Sequence, residues 1–414
     1  MNHTHREFKK LTKVEDALRR FLQAVDNRQI RTEVVPIAHA LGRVLSENVA
    51  CKYDLPSTDR AVVDGFALRS TELLEASASN PVVLRNIGES ILGEECRLVV
   101  HKSETVSVAT GSTVPKGTDA VVPIEEIMRL SSDRISVSKM IVRGQNILFK
   151  GEDVARNQVV LMSGAHLRPQ DLGILKALGF ERIRVLRKPR VAVISTGSEL
   201  VESLHRASPS QTVDTNRVIL ASMVQQAGGV VVDFGIVKDR KKNILFTLKR
   251  ARRLTDLILV TGGSSVGSRD LIPSCINELG KPGMLVHGIA MRPAMPTGLG
   301  AVNRTPIISL PGFPVSAMFA FLVFGRPVIF KLGGNIVESK QVAKLSKTIR
   351  ASKGFRTFVR VSLRKTTNGL IAIPVKSQKS SMLTSIISAD GFITIREDEG
   401  QISANQSVEV TLMA

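Results

Sequence analysis

Apolar runs alternate with amphipathic segments through residues 188–333. Runs such as Arg190-Val-Ala-Val-Ile-Ser195 and Leu257-Ile-Leu-Val260 are typical of strands covered on both faces. The segments between them have helical spacing of apolar residues, and several end at glycines. This alternation predicts a βαβ series and therefore a doubly wound, mainly parallel sheet. The predicted strands are 190–195, 230–237, 257–260, 284–289 and 306–310, and the predicted helices are 216–226, 241–253, 270–279 and the segment from 314.

The rest of the chain follows other patterns. Residues 52–143 contain short alternating runs such as Thr105-Val-Ser-Val-Ala109, which predict a β-rich domain. Residues 14–25 have helical spacing, with Thr12 as a candidate N-cap, and a second helix is predicted at 169–178. Strand patterns in 334–414 predict a small β domain or barrel. The sequence thus predicts a multidomain α/β protein with four domains: 1–51 with 144–187, 52–143, 188–333 and 334–414.

Charge and composition narrow the class of partner. The chain has 414 residues, of which 43% are hydrophobic, so it can bury several cores. Its 57 Lys and Arg against 37 Asp and Glu give a net charge of +20, which favours anionic ligands. Aromatic residues make up only 4%, and no pattern of a helix-turn-helix, zinc finger or RNA-recognition motif is present. We therefore predict no nucleic-acid partner.

Cysteine use and hydropathy predict the compartment. The three cysteines, Cys51, Cys96 and Cys275, form no C-x-x-C pair, which is typical of a reducing compartment. The first ten residues lack the apolar run of a secretory signal. The apolar segment 314–332 contains Arg326 and Pro327, which favours a core helix over a membrane span. We predict a cytoplasmic protein without a membrane partner.

A glycine-containing loop follows the most apolar predicted strand, in Thr261-Gly-Gly-Ser-Ser-Val-Gly-Ser-Arg-Asp270. Bare backbone N–H groups at a helix N-terminus suit an anion, although an ordinary βα turn has the same local pattern. The loop is neither a Walker A sequence nor a G-x-G-x-x-G fingerprint. Three other polar segments also follow predicted strands, at 195–199, Asp239 and 310–314. Because ligands of such sheets lie beyond the carboxyl ends of the strands, we predict a site here.

Seven motifs occur in one order along almost the whole chain. They are Thr58-Asp-Arg-Ala-Val-Val-Asp-Gly-Phe-Ala67, Ala109-Thr-Gly-Ser-Thr-Val-Pro-Lys-Gly-Thr-Asp-Ala-Val-Val122, Gly151-Glu-Asp-Val154, Ser195-Thr-Gly-Ser-Glu-Leu200, Asp214-Thr-Asn216, the 261–270 loop and Leu310-Pro-Gly-Phe-Pro-Val-Ser316. Together they resemble the molybdopterin molybdotransferase family, which includes the E domain of gephyrin. Any one of these motifs is weak, whereas their order makes the resemblance specific.

The resemblance implies a reaction and an assembly. The family inserts molybdate, or tungstate, into adenylylated molybdopterin and releases AMP and molybdenum cofactor, with a divalent cation such as Mg²⁺. It works as a homodimer whose site lies between the α/β domain of one subunit and the second domain of the other. A polyanionic substrate suits glycine loops and basic residues, and a hard cation needs carboxylate ligands. The expected partners are adenylylated molybdopterin, molybdate and a second copy of the chain.

The resemblance also implies residue roles. The implied catalytic residues are Asp64, Thr110, Asp153, Glu199, Asp239 and Asp270, of which Asp64, Glu199, Asp239 and Asp270 are the expected Mg²⁺ ligands. The implied substrate-binding residues are Gly262, Gly263, Ser264, Ser265, Gly267, Arg292, Pro311, Gly312 and Ser381. Local sequence leaves simpler interpretations open: Asp64-Gly65 is compatible with a plain turn, Thr110 with a strand end, Asp270 with an N-cap, and Glu199 and Asp239 with solvated loops.

Several positions depart from the family pattern. The family's Lys-Pro-Gly-Lys-Pro is Arg292-Pro-Ala-Met-Pro296 here, and a further family lysine is replaced by Gly288. The asparagine of L-P-G-N-P is Phe313, and two acidic positions are Ser198 and Ser268. An arginine can still bind an oxyanion through paired donors, but methionine and glycine cannot. The alternative is therefore a divergent paralogue that binds a pterin or oxyanion, or acts as a scaffold, without full transferase activity.

Overall fold

The chain forms two compact units in a computed structural model. The structure describes residues 11–25, 31–206, 208–262, 271–333, 339–367 and 369–413. One unit, here called the β-rich unit, comprises Val34–Leu41 and Leu45–Val185. The other, here called the α/β unit, comprises Met1–Glu33, Gly42–Val44 and Leu186–Ala414. The finer division into four domains stays a prediction.

The helices and strands of the described residues are as follows. The α-helices are α1 (Val14–Ala24), α2 (Pro169–Ala177), α3 (Asn216–Gln226), α4 (Lys241–Leu254), α5 (Leu271–Leu279), α6 (Pro314–Ala320), α7 (Arg326–Lys331) and α8 (Thr384–Ile387), with a π-helical turn, Phe321–Gly325, between α6 and α7. Short 3₁₀ turns are Ile37–His39, Ser70–Leu73, Ile124–Glu126 and Leu204–Arg206. The strands are β1 (Thr32–Pro36), β2 (Val49–Ala50), β3 (Arg60–Ala61), β4 (Gly65–Leu68), β5 (Val82–Ser90), β6 (Glu104–Val108), β7 (Ala120–Pro123), β8 (Ile127–Arg129), β9 (Arg134–Val137), β10 (Ile147–Leu148), β11 (Val159–Leu161), β12 (Arg182–Leu186), β13 (Arg190–Thr196), β14 (Leu200–Val201), β15 (Thr212–Val213), β16 (Val230–Val237), β17 (Leu257–Thr261), β18 (Pro282–His287), β19 (Met291–Arg292), β20 (Gly298–Val302), β21 (Thr305–Leu310), β22 (Lys340–Leu345), β23 (Ile349–Arg350), β24 (Arg356–Thr366), β25 (Gly369–Pro374), β26 (Gly391–Ile395), β27 (Gln401–Ile402) and β28 (Ser407–Leu412).

A six-stranded sheet forms the centre of the α/β unit. Its strand order is β16-β13-β17-β21-β20-β18. The first four strands are parallel, and Val191 pairs with both Val231 and Leu257. Strands β20 and β18 run antiparallel at one edge. The predicted mainly parallel sheet is confirmed, with an antiparallel hairpin added to it.

Helices cover both faces of this sheet because its strand residues alternate between two cores. Val191 and Val193 pack in one core with residues of α1, α3 and α6. Ala192 and Ile194 pack in the other with residues of α4 and α5. The doubly wound prediction is therefore confirmed.

One helical stretch among the described residues is long and apolar enough to cross a membrane. This stretch, Pro314–Lys331, has a mean hydropathy of 1.4. However, 61% of it is buried inside the protein, and Phe319, Phe321 and Phe324 belong to the core of the α/β unit. It is a core helix, as the embedded Arg326 and Pro327 predict.

The C-terminal strands close into a five-stranded barrel in the order β24-β25-β22-β28-β26, with β26 pairing back to β24. The barrel core includes Val359 and Val361. Two-residue strand β19 pairs in parallel with β24 outside this ring. A cluster of three rings, Phe319, Phe358 and Phe392, with centroids 5.2–5.8 Å apart, packs the barrel against α6. The predicted C-terminal barrel is confirmed.

The β-rich unit contains its own six-stranded sheet, in the order β7-β4-β6-β5-β9-β8. Strand β5 pairs in parallel with β6, whereas β4 is antiparallel to both of its neighbours. Phe66, Leu84 and Ile135 are among the residues of its core. The short pairs β2–β11 and β3–β10 and helix α2 complete the unit, so the β-rich prediction for this part of the chain is confirmed.

Candidate functional site

Asp64 and Thr110, two of the predicted catalytic residues, meet at the surface of the β-rich unit. Asp64 Oδ1 accepts hydrogen bonds from the Thr110 backbone N–H, at 2.7 Å, and from the Thr110 hydroxyl, at 2.8 Å. The backbone hydrogen bond, followed by the hydroxyl, holds the pKa of the Asp64 carboxyl below its ordinary value. The exposed carboxylate is therefore ionised and fixed in direction.

The close approach of strand β7 explains why a glycine, Gly65, follows this aspartate. A Cβ at position 65 would lie 1.9 Å from the carbonyl oxygen of Val122 on neighbouring strand β7. Asp64 itself accepts the Ile124 N–H through its backbone oxygen. The Asp-Gly pair is thus more than a turn: the glycine allows two backbones to approach and so places the carboxylate immediately before the first residue of β4.

The third predicted residue of this unit, Asp153, lies on a separate turn. Its backbone N–H donates to the Leu55 carbonyl at 3.1 Å, and its side chain is exposed. Gly151 begins this turn at φ +74°. The structure therefore places Asp153 in solvent without joining it to the Asp64–Thr110 pair.

In the α/β unit, buried hydroxyl groups link the carboxyl ends of β13 and β17. The Thr196 hydroxyl donates to the Thr261 carbonyl at 3.1 Å, and Thr261 Oγ1 donates to Ser195 Oγ at 3.2 Å. Gly262 follows at φ +89°, and a Cβ there would lie 1.9 Å from the Thr196 carbonyl oxygen. Only glycine fits where these two strand ends converge, as expected for a residue predicted to line a site.

Glu199 and Asp239 lie at the ends of neighbouring strands β13 and β16. Asp239 accepts the Ser198 N–H at 3.2 Å, and the Glu199 carboxylate folds back over Gly197, where a Cβ would lie 2.7 Å from Oε1. Both carboxylates are exposed. The structure therefore gathers these two predicted residues around one loop.

The carboxylate oxygens of Glu199 and Asp239 are of the chemical type that Mg²⁺ prefers as ligands. Mg²⁺ is usually held by one or two carboxylates, several waters and substrate phosphates, and Glu199 and Asp239 supply such oxygens. Within the described ranges, no group of three or more His, Cys, Asp or Glu side chains is placed to hold a metal. Asp64, a further predicted ligand, belongs to the β-rich unit. Glu199 and Asp239 are thus at most two of the ligands that such an ion needs, and the Mg²⁺ site stays a prediction.

The loop 310–314 connects β21 to α6 beside the start of α3. Pro311 is buried, and the Gly312 carbonyl accepts a hydrogen bond from Asn216 Nδ2 at 2.8 Å. Asn216 is only 8% exposed, and its Oδ1 atom has no hydrogen-bond partner in the described chain. This orphaned acceptor at the edge of the sheet is available to a donor group of a ligand.

The last predicted residue, Ser381, follows Ser380, which contacts this edge of the sheet. The Ser380 carbonyl accepts the Val315 N–H in the first turn of α6, at 3.4 Å. Phe313, which replaces the family's asparagine, is the N-cap residue of α6, and no side-chain hydrogen bond caps the helix. A backbone carbonyl from the barrel thus meets a donor at the start of the helix, and exposed Ser381 follows it.

Arg292 is held at the junction of β19 and the barrel. Its guanidinium lies 4.3 Å from the centroid of the Phe355 ring, and Nη1 donates to the Ser352 hydroxyl at 3.0 Å. The Arg292 backbone pairs with Thr357 of β24. Arg292 therefore lies on a short strand, with a fixed backbone and a half-buried side chain.

The departures from the family pattern also have a structural consequence. Ala294, which stands where the family has glycine, has φ +83°, and Gly288, which stands where the family has lysine, has φ +88°. The left-handed region suits glycine and strains alanine. The chain thus retains a glycine-like backbone at 294 without the glycine.

Arg360 is a candidate that the sequence motifs miss. Its side chain is fully buried, and Nη2 donates to the carbonyls of Ser377, at 3.2 Å, and Lys379, at 3.4 Å. Nε and Nη1 have no acceptor among the described residues. Burial lowers the pKa of this guanidinium, although arginine remains protonated at neutral pH. A buried cation with unpaired donors is costly unless an anion meets it.

One signal in the sequence points to Arg360. In Thr357-Phe-Val-Arg-Val-Ser362 the arginine shares a strand face with Phe358, two residues before it. Phe358 packs in the core of the α/β unit, whereas Val359 and Val361 face the barrel core. An arginine on the same face as a buried phenylalanine is unusual enough to mark a candidate.

The remaining predicted residues lie outside the described residues. They belong to the glycine-containing loop after β17 and are Gly263, Ser264, Ser265, Gly267 and Asp270. The start of α5 at Leu271 agrees with a helix that begins after this loop.

Comparisons with known proteins identify the family. The model of the MoeA N-terminal region (domain I and II) matches residues 12–179, that of a probable molybdopterin binding domain matches 192–331, and that of the MoeA C-terminal region (domain IV) matches 342–413. Molybdopterin molybdenumtransferase 2 of Mycobacterium tuberculosis is 32% identical over 389 residues, which is 92% of this chain and 95% of that protein. Molybdopterin molybdenumtransferase of Bacillus subtilis is 29% identical over 97% of this chain and 94% of that protein.

A solved structure agrees over the same length. The molybdopterin biosynthesis moeA protein from Pyrococcus horikoshii OT3 superposes with a TM-score of 0.82 at 32% identity, covering 97% of this chain and 100% of that one. Sequence relatives, domain models and fold coincide over nearly every residue. The chain therefore belongs to the molybdopterin molybdenumtransferase (MoeA) family.

Proposed function

We propose that this protein is a molybdopterin molybdenumtransferase of molybdenum cofactor biosynthesis, which inserts molybdate into adenylylated molybdopterin and releases AMP. The observation that carries the proposal is Arg360. Its buried guanidinium holds two carbonyls of the 377–379 segment and keeps Nε and Nη1 unpaired. An oxyanion accepts charge-assisted hydrogen bonds from such donors singly. Family membership supports the same assignment.

Residues of the α/β unit would bind the anionic groups of the substrate. Arg360 and Arg292 supply cationic donors, Gly262 opens space at the strand ends, and Asn216 Oδ1 offers an acceptor. Glu199 and Asp239 would hold Mg²⁺, which would polarise the phosphoanhydride when bound. Asp64, fixed by Thr110, would present an ionised carboxylate to the substrate.

The family resemblance supports a proposal for the assembly, and cysteine use supports one for the compartment. We propose a homodimer, which light scattering would detect as twice the 44.9 kDa of one chain. A cytoplasmic location agrees with three free cysteines, none of them in a disulfide. A monomer that binds molybdate and completes the reaction would contradict the dimer.

The decisive experiment replaces Arg360 by methionine. Because the arginine is buried with unpaired donors, Arg360→Met should leave the melting temperature unchanged or raise it. It should weaken molybdate binding at least about tenfold in titration calorimetry, since a charge-assisted contact contributes about 1.5–3 kcal/mol. Transfer activity, measured by cofactor reconstitution, should fall with it.

Arg364→Met is the matched control. Arg364 lies on the same strand β24 but is exposed, so its loss removes the same charge from the same element. Molybdate binding in this control should equal that of the parent. The proposal fails if Arg360→Met binds molybdate as the parent does, or if both variants lose binding equally.

A second candidate function has its own observation. Met295 and Gly288 stand where the family has lysines, which thins the cationic cluster around Arg292. A divergent paralogue would bind molybdate or a pterin without transferring molybdenum. Parent protein that binds molybdate but gives no cofactor in reconstitution, and gains activity on Met295→Lys, would favour this alternative.

A further inference from the structure

Arg217, in the first turn of α3, binds three carboxylates at once. Its Nε atom lies 3.1 Å from Asp214, its Nη1 atom 2.7 Å from Asp233 and its Nη2 atom 2.9 Å from Glu202. The Arg217 backbone N–H also donates to the Asp214 carboxylate, at 3.2 Å. The arginine side chain is only 16% exposed. Each of its three nitrogen atoms therefore has a carboxylate partner of its own in a largely buried position.

Helix formation does not explain an arginine at this position. The first turn of a helix carries the positive end of the helix dipole, which disfavours a cation there. Asp214, whose side chain is 2% exposed, already supplies the negative charge that this end of α3 prefers. The arginine is explained instead by the parts of the chain that it joins.

The three carboxylates belong to three different elements. Glu202 directly follows β14, Asp214 directly follows β15, and Asp233 lies in β16, at one edge of the central sheet. Helix α3 is itself packed on this sheet, with Leu220 in the same core as residues of β13. Arg217 thus fastens the ends of β14 and β15 to a helix that the core holds in place.

The β14–β15 pair needs such an anchor. It has two residues in each strand, lies outside the central sheet, and all four residues are exposed or half-buried. An isolated two-stranded pair is marginally stable in water. The Thr212 N–H donates to the Glu199 carbonyl and the Asp214 N–H to the Val201 carbonyl, both at 3.0 Å. The position of Glu199 therefore depends on a pair that burial alone does not hold.

We propose that Arg217 is a positioning residue, which holds the β14–β15 pair in place and so keeps the Glu199 carboxylate beside Asp239. The inference rests on the proposed transferase function, in which Glu199 and Asp239 act together. A guanidinium can join several carboxylates because its donors have fixed, divergent directions, whereas an ammonium group is a single point charge on a flexible stem. Lysine at position 217 should therefore keep the charge and lose the anchoring.

The test compares Arg217→Lys with a matched control, Arg187→Lys, in the full-length protein. Arg187 pairs with Asp256, which directly precedes β17 and so lies at the end of the sheet opposite Glu199; both side chains are largely buried. Amide hydrogen exchange of the ligand-free proteins is measured at Thr212, in β15. It should be about tenfold faster in Arg217→Lys than in the parent, and unchanged in Arg187→Lys.

Transfer activity supplies the second measurement. Loss of the Glu199 position should lower kcat of Arg217→Lys about tenfold, while KM for adenylylated molybdopterin stays within about twofold, since the contacts of Arg292 and Arg360 are unchanged. A merely structural role would lower the melting temperature and leave kcat per folded protein at the parental value. Arg187→Lys should keep the parental kcat and KM.

Two surface substitutions separate the individual ties of Arg217. Glu202→Gln removes the tie to β14 and should speed exchange at Thr212 about threefold, since exposed ion pairs are weak. Asp233→Asn removes an equal charge from the tie to β16 and should leave that exchange rate unchanged. The Glu202 and Asp233 side chains are 69% and 49% exposed, so both variants should fold.

The outcomes are distinguishable. Parental exchange and kcat in Arg217→Lys, or equal changes in Arg187→Lys, would overturn the proposal. Faster exchange with a parental kcat would also overturn it, because the arginine would then anchor the pair without positioning a reacting group. A parent that transfers no molybdenum would contradict the proposed function, and the exchange comparison would still decide whether Arg217 anchors the pair.

Discussion

The Asp64 carboxylate accepts two hydrogen bonds from one residue, Thr110, whereas the Arg360 guanidinium has fewer acceptors around it than it has donors. The Asp64 carboxylate is held in one orientation, and the Arg360 side chain keeps two hydrogen-bond donors, Nε and Nη1, without acceptors among the described residues. The motifs around Asp64 made the first residue predictable. No motif marked Arg360, because a single arginine in an alternating strand reads as a solvent-facing residue until packing shows which face is buried.

Thr110→Val should raise the pKa of the Asp64 carboxyl toward its ordinary value. Valine removes the hydroxyl but keeps the backbone N–H, which is the larger cause of the lowered pKa, so the rise should be partial. A lowered pKa contributes stability above the unfolded-state pKa, and this contribution is lost as the pH falls through the folded-state pKa. The contribution should therefore be smaller in the variant, and its loss should be complete at a higher pH. Carbon-detected NMR titration of Asp64 measures the shift, with Thr110→Ser as the control that retains the hydroxyl.

Ala294→Gly should stabilise the protein. Alanine at φ +83° is strained by about 1–2 kcal/mol, and glycine relieves this at an entropic cost of up to about 1 kcal/mol. The net gain should be about 0.5–1 kcal/mol in urea unfolding. Ala301→Gly, in buried strand β20, should lose stability instead and serves as the control. A loss in both variants would show that the strain at position 294 is smaller than the cost of removing the buried methyl group.

At the scale of elements, the local sequence pattern predicts those helices and strands whose positions depend on neighbouring residues alone. Helix α3 and strands β13 and β17 occur where apolar periodicity places them. The predicted Thr12 cap is wrong: Lys13 is the N-cap residue of α1, and the Thr12 backbone instead bonds to Gly288 and Ala290. Closure of the barrel by β24 and β26 likewise rests on pairing between distant segments, which periodicity within one segment cannot specify.

Two glycines at the strand ends should respond differently to alanine. Gly262→Ala would place a Cβ 1.9 Å from the Thr196 carbonyl oxygen at φ +89°, and should cost at least about 2 kcal/mol. Gly312→Ala meets no atom within 4 Å and should cost less than about 1 kcal/mol. Chemical unfolding of both variants measures the difference. Equal costs would mean that the convergence of β13 and β17 does not require glycine.

At the scale of the whole molecule, the candidate residues fall into two sets. Asp64, Thr110 and Asp153 belong to the β-rich unit, and the other described candidates belong to the α/β unit. The sequence predicted this division through its motifs, but the motifs alone could not supply distances between the sets. The proposed homodimer leads to a prediction for mixtures of two inactive variants.

Mixing two inactive variants should restore activity if subunits share sites. Asp64→Ala and Arg360→Met each disable every site in their own homodimer, but a mixed dimer would retain one site with both residues intact. After co-refolding at equal concentrations, about half of the dimers are mixed by chance, and each mixed dimer has one intact site out of two. We therefore expect about a quarter of the parental activity per chain. Each variant refolded alone is the control. Absence of any recovery, with mixed dimers verified by mass, would contradict a shared site.

The pairing of β19 with β24 has a kinetic consequence. Backbone hydrogen bonds fasten Arg292 to the barrel, and a stacked ring holds its guanidinium. A donor already immobilised has little conformational entropy left to lose when an anion arrives. Association should therefore proceed in one concentration-dependent phase, without the slower rearrangement that a loop-borne arginine would add. The short strand thus leaves the association rate to be set by diffusional encounter, and differences in affinity between anions should come from their dissociation rates.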